Sequence, residues 1–134
     1  MTKLTGKQIA DEGLKGWAHL LDGLQTRIRT GNFATGLALV DTIGAAAEEM
    51  NHHPDLNLRY GHLDVRLTTH DEGGVTELDI RFARTISALA AEAGAVLGSA
   101  AATRLELALD TPSPESVLPF WAAVLGPLGA GRER

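Results

Sequence analysis

The chain has 134 residues, a net charge of −5 and an apolar fraction of 44%, enough for one domain with a mostly aliphatic core. The negative balance, with Arg27, Arg29, Arg59 and Arg66 dispersed along the chain, argues against nucleic acid, which clustered Lys and Arg would hold. The absence of cysteine excludes disulfides, thiolate metal sites and cysteine nucleophiles, and no stretch approaches the roughly 20 apolar residues of a membrane span.

The opening, Met1 to Gln8, lacks the apolar run of a secretory signal, so a cytoplasmic protein is expected. Thr5 and Gln8 fit a capping box with Leu4 and Ile9 as its hydrophobic staple, which predicts a helix from about Gly6 to Leu14. Two short strands follow, Trp17 to Leu21 and Leu24 to Thr30, turned at Asp22-Gly23, a strong hairpin signal. In the second strand Leu24, Thr26, Ile28 and Thr30 alternate with Gln25, Arg27 and Arg29, leaving one face wet. Asn32 can cap a second helix, Phe33 to Met50, whose apolar stripe is Phe33, Leu37, Val40, Ile43, Ala47 and Met50. Pro54 limits it, because the residue before a proline is pushed out of the helical region.

Leu56 to Tyr60 and Leu63 to His70 alternate as a second hairpin, turned at Gly61-His62. Thr76 and Asp79 form a capping pair stapled by Val75 and Ile80, opening a third helix to about Ala93 with Phe82, Ala83, Ile86, Leu89 and Ala90 inward. The order α-β-β-α-β-β-α predicts an α+β layer fold: a four-stranded antiparallel sheet with three helices on one face. Past it, an extra C-terminal strand is expected from Thr103 to Asp110 and a helix from Ser116 to about Leu125. The expected division is a domain over 1–97 and an extension over 98–134.

Four of the five histidines fall between Glu48 and Asp79. His52 and His53 sit at or past a helix end, where an imidazolium would also favour the helix dipole. A metal site is the rival reading of the pair, but helical i, i+3 or i, i+4 ligand spacing is missing, and no metal is expected. His70 stands at a strand end before a glycine loop, a common place for functional side chains. Asp79 caps a helix and could also orient a histidine or a substrate. Glu48, four residues before His52, either orients that ring, binds substrate, or is a solvated charge. Tyr60 reads as a core or pocket-wall aromatic, and His19 and His62 as surface residues. Gly73-Gly74 reads as a tight turn.

The series Glu48, His52-His53-Pro54, Tyr60, His70, Asp79 resembles the signature of the pterin-4a-carbinolamine dehydratases, over about residues 3 to 95. Thr68-Thr69-His70, Gly74 and the Gly16-Trp17 pair fit the same pattern, while Leu56 stands where many members carry tryptophan. The resemblance implies a cofactor-free hydro-lyase, a 4a-hydroxytetrahydrobiopterin dehydratase that converts 4a-hydroxytetrahydropterin to quinonoid dihydropterin. It implies His52, His53 and His70 as the catalytic acid/base groups, and Glu48, Pro54, Tyr60 and Asp79 as the substrate-binding set. It also implies a homodimer or homotetramer that recycles the pterin used by an aromatic amino acid hydroxylase. The alternative on the same fold is a non-catalytic dimerisation or assembly protein. The tail, Leu105 to Glu115 and Phe120 to Gly126, resembles the opening of a glyoxalase-like (vicinal oxygen chelate) module. It contains no histidine for a metal, so no activity follows from it.

Overall fold

The computed structural model describes residues 2–98. The elements are α1 (Gly6–Asp11), β1 (Ala18–Leu20), β2 (Gly23–Arg29), α2 (Phe33–Met50), β3 (Asp55–Leu58), β4 (His62–Leu67), α3 (Glu77–Glu92) and β5 (Val96–Gly98). The strands form one antiparallel sheet in the order β1-β2-β4-β3, and β5 pairs with β2 as well. Because β1 pairs with Gly23 to Gln25 and β5 with Arg27 to Arg29, these two short strands share one side of β2 end to end. The expected strand from Thr103 to Asp110 and helix from Ser116 to Leu125 lie outside the described residues, and β5 is an addition the periodicity did not suggest.

Strand parity sorts apolar and polar side chains onto two faces as expected, but the polar face is not wholly wet, since Gln25 and Asp64 are buried there. Leu24, Thr26 and Ile28 pair with Leu67, Val65 and Leu63, and Leu56 and Leu58 pair with Val65 and Leu63. The helices cover this face through Ile9, Leu39, Ile43, Ala47, Ile80 and Phe82, all buried. On the opposite face Arg27 grips Asp64 through two hydrogen bonds of 2.8 and 3.1 Å, beside Asn57, Arg66 and Arg29. A forked guanidinium on a carboxylate is the strong form of such a pair.

The local signals act as their chemistry requires, with four shifts. Thr5 accepts from the Gln8 N–H at 3.1 Å and Gln8 accepts from the Thr5 N–H at 2.8 Å. That helix stops at Asp11 rather than Leu14, because Gly13 turns the chain at a φ of +62°. In the first hairpin the two turn residues are Leu21 and Asp22, at φ of 53° and 62°, not Asp22 and Gly23. Gly23 is instead the first residue of β2, where a Cβ would lie 2.8 Å from the Arg66 guanidinium carbon. Arg66 and Thr68 donate to the carbonyls of Leu21 and Asp22, which holds this turn in place. The second hairpin turns before His62, which already pairs with Arg29.

The fourth shift concerns α2. Its bounds match the expectation, but Phe33 and Leu37 are 47% and 49% exposed while Gly36 and Leu39 are buried. A Cβ on Gly36 would lie 2.6 Å from Leu58 Cδ1, so the helix seats against β3 on its glycine and not on a bulky side chain. The inward stripe is thereby rotated over its first two turns.

Two outcomes follow from this packing. Ile43 is fully buried between helix and sheet, so Ile43→Ala should lower stability by about 2–5 kcal/mol in urea unfolding; a change within error would contradict the packing described. Burial pushes the half-buried His62 ring below its ordinary value of 6.5, opposed by Asp64 and aided by Arg27, Arg59 and Arg29. The unfolded chain therefore takes up this proton first as pH falls, and stability contributed above about 6.5 is lost as pH drops toward the folded value. The urea midpoint of the wild type should fall more between about pH 7.5 and 5 than that of His62→Asn, and equal slopes would contradict the assignment.

Candidate active site

The end of α2 decides where two of the histidines go. Asn51 adopts the left-handed conformation, φ 53° and ψ 44°, which asparagine tolerates better than most residues. Its N–H donates to the Glu48 carbonyl and that of His52 to the Ala47 carbonyl at 3.1 Å, the bond pattern of a Schellman cap. The chain is thereby turned sharply, and Pro54 leads it into β3. His52 ends up half-buried beneath the turn and His53 exposed above it.

Each of these two rings meets a carboxylate, and the pairing differs from the helical extrapolation. His52 Nε2 lies 2.6 Å from Asp79 Oδ1, whereas His53 Nε2 lies 2.6 Å from Glu48 Oε2. Glu48 thus serves His53 and not His52, because the left-handed residue at 51 breaks the helical path on which an i, i+4 contact depends. Glu48 and His53 are exposed, while Asp79 is 0% exposed.

Asp79 is held on three sides. Its Oδ2 accepts from the Thr76 N–H at 2.9 Å and from the Thr69 hydroxyl at 2.7 Å, and its Oδ1 faces His52. Thr69 and Thr76 hydroxyls lie 2.8 Å apart; with the Thr69 proton committed to the carboxylate, Thr76 is the donor between them. A carboxylate oxygen accepts, so this contact suits the His52 tautomer with its proton on Nε2, which leaves Nδ1 as an acceptor. The His52 ring also packs on buried Phe82, centroids 6.3 Å apart.

His70 arrives from the other side. It opens a 3-10 turn, His70–Glu72, because β4 stops at Leu67 rather than running on to His70, and a bridge between Thr69 and Gly74 closes the loop behind it. The Thr69 N–H donates to the Gly74 carbonyl at 2.9 Å, and Gly73 makes the turn at a φ of +73°. The three imidazoles, with Asn51, Thr68 and Thr69, line one cleft of about 270 Å3. A larger hollow of about 440 Å3 beside α1 is lined by Ile9, Leu14, Trp17 and Leu24, with Lys15 and His19 at its wall but no carboxylate beside them. Chemistry and not size marks the site. No group of three metal-ligating side chains is assembled among the described residues.

None of the expected substrate-binding set lines the cleft itself: Asp79 and Glu48 reach it through His52 and His53, and the other two stand apart. Tyr60 is 73% exposed in the β3–β4 turn, at the opposite end of the hairpin from the histidines. The reason is direction: β3 runs away from His53, and the chain returns to the site only where β4 ends. Pro54 shapes the exit from α2 without lining the cleft. Conversely, the part played by Thr69 was missed. Its signal was its parity with Leu63, Val65 and Leu67, which puts a hydroxyl on the core side of the strand, where it needs a partner.

A family model described as pterin 4 alpha carbinolamine dehydratase matches residues 2–89. A relative from Aquifex aeolicus, assigned as a pterin-4-alpha-carbinolamine dehydratase, is 41% identical over 81 residues, covering 60% of this chain and 82% of its own. One from Thermomicrobium roseum with the same assignment is 38% identical over 92 residues, covering 67% of this chain and 99% of its own. A solved transcriptional coactivator/pterin dehydratase from Brucella melitensis superposes with a TM-score of 0.64 at 32% identity, over 66% of this chain and 99% of that one. The glyoxalase-like stretch falls outside both the matched and the described residues. The dehydratase signature, the α+β fold and the matched span agree: this chain belongs to the pterin 4 alpha carbinolamine dehydratase family.

Proposed function

We propose that the protein eliminates water from a 4a-hydroxytetrahydropterin, giving the quinonoid dihydropterin, by histidine acid/base chemistry. One observation carries this reading: three imidazoles line a single cleft, and one of them is backed by a buried carboxylate. The reaction breaks the bond between carbon 4a and its hydroxyl oxygen while the N5 lone pair forms the C4a–N5 double bond. The oxygen takes up a proton and leaves as water; N5 gives up its proton. Imidazole suits both transfers because its unperturbed pKa of about 6.5 lies near working pH.

His52 is the base in this scheme. With Nε2–H held by Asp79, its free Nδ1 accepts the N5 proton, and the carboxylate stabilises the imidazolium that forms. His70, whose ring has no hydrogen-bond partner among the described residues, delivers a proton to the departing hydroxyl. The Glu48–His53 pair at the exposed rim orients the pterin. An aromatic amino acid hydroxylase is the proposed source of the substrate. The test is loss of 4a-hydroxytetrahydropterin absorbance. His52→Ala and His70→Ala should each lower kcat by about 10²–10⁴-fold. Wild-type turnover no faster than the uncatalysed rate would leave only the assembly reading.

A specific observation gives that second reading weight. Phe33 and Leu37, one turn apart on α2, present apolar side chains to solvent. They form the contact of a homodimer or homotetramer in this proposal, compatible with catalysis or with an assembly role alone. Leu37→Asp should shift the sedimentation coefficient toward that of the monomer; an unchanged value would remove α2 from the interface.

A further inference from the structure

We infer that Thr69 is a positioning residue for His52, acting through Asp79, and that its hydroxyl couples the two sides of the cleft. The inference rests on the dehydratase reading for its activity arm alone.

A carboxylate held only by the N–H at its own helix start can still swing about its Cβ–Cγ bond and exchange its oxygens. Here the Thr76 N–H belongs to the start of α3, three residues before Asp79, and donates to Oδ2 at 2.9 Å. Thr69 donates to the same oxygen at 2.7 Å from a different element, the exit of β4. Two donors on two elements fix which oxygen is left for the imidazole, and that oxygen stands 2.6 Å from His52 Nε2.

The hydroxyl chain has a direction. Thr76 donates to Thr69, Thr69 to Asp79, and Asp79 accepts a hydrogen bond from His52 Nε2–H at its other oxygen. Each donor polarises the next and strengthens the charge that keeps His52 protonated at Nε2. Without the Thr69 proton, Oδ2 keeps one donor and the Thr76 hydroxyl loses its acceptor. The carboxylate then rotates, and the His52 ring loses the partner that selects its tautomer. Thr69 also precedes His70 directly, and its backbone is paired in both directions with Gly74, at 2.9 and 3.4 Å. The same residue therefore sets the seat of His70 by its main chain and that of His52 by its side chain.

The test uses the full chain, with Thr69→Val, which keeps the shape, and Thr69→Ser, which keeps the hydroxyl. Thr69→Val should lower kcat by about ten- to hundredfold, the loss expected of one hydrogen bond to a charged group, with KM changed by less than about threefold. Thr69→Ser should restore kcat to within about threefold of wild type. Ring 15N shifts of His52 should report Nε2–H as the dominant tautomer in wild type and Thr69→Ser, and a mixture in Thr69→Val. Wild-type kcat and tautomer in Thr69→Val would overturn the inference, as would a failure of Thr69→Ser to restore both. If wild type turns over no pterin, the dehydratase reading fails, and the nitrogen shifts still decide the role of Thr69.

Discussion

The Asp79 carboxylate is the point on which the rest of the site depends. It is wholly buried, and burying such a group is costly unless donors surround it. They do: a backbone N–H from the start of α3, a hydroxyl from the end of β4 and an imidazole from beyond α2. One side chain thereby caps a helix, ties it to the sheet and anchors a catalytic ring in the proposed mechanism. The capping role and the orienting role are one arrangement, since the cap holds one oxygen and frees the other.

The adjacent histidines form a pair in sequence but not in environment. His52 is backed by a buried acid and packed on Phe82; His53 meets an acid that water also reaches. Charge interactions are weakened at the exposed pair and strengthened at the enclosed one. The left-handed Asn51 produces this division, turning the chain between the helix and the two rings. In the proposed mechanism these neighbours therefore take different tasks, proton transfer at the sheltered ring and substrate contact at the open one.

Much of this was legible in the residues. Asn32 and Pro54 bracketed α2, and strand parity sorted the sheet's faces, because capping and alternation are local and act within a few residues. The signature spacing led to the three histidines and Asp79, which the fold brings together. What failed to show depended on contacts across the fold. The first hairpin turn slipped by one residue because Arg66 and Thr68, more than forty positions away, hold the carbonyls of Leu21 and Asp22. Glu48 changed partner because one left-handed residue redirected the chain, and Tyr60 was carried out of reach by the direction of its strand.

The seat of α2 on its glycine has a consequence at the helix's other end. Eighteen residues form a rod of about 27 Å, with Gly36 near one tip and the Asn51 turn at the other. A methyl at 36 would meet Leu58 Cδ1 at 2.6 Å, so either that side chain turns aside or this end of the helix lifts, and a lift would swing the far tip that leads to His52. The bare backbone at 36 thus lets this end of the rod lie close to β3 without displacing Leu58, and the Asn51 turn starts from that placement.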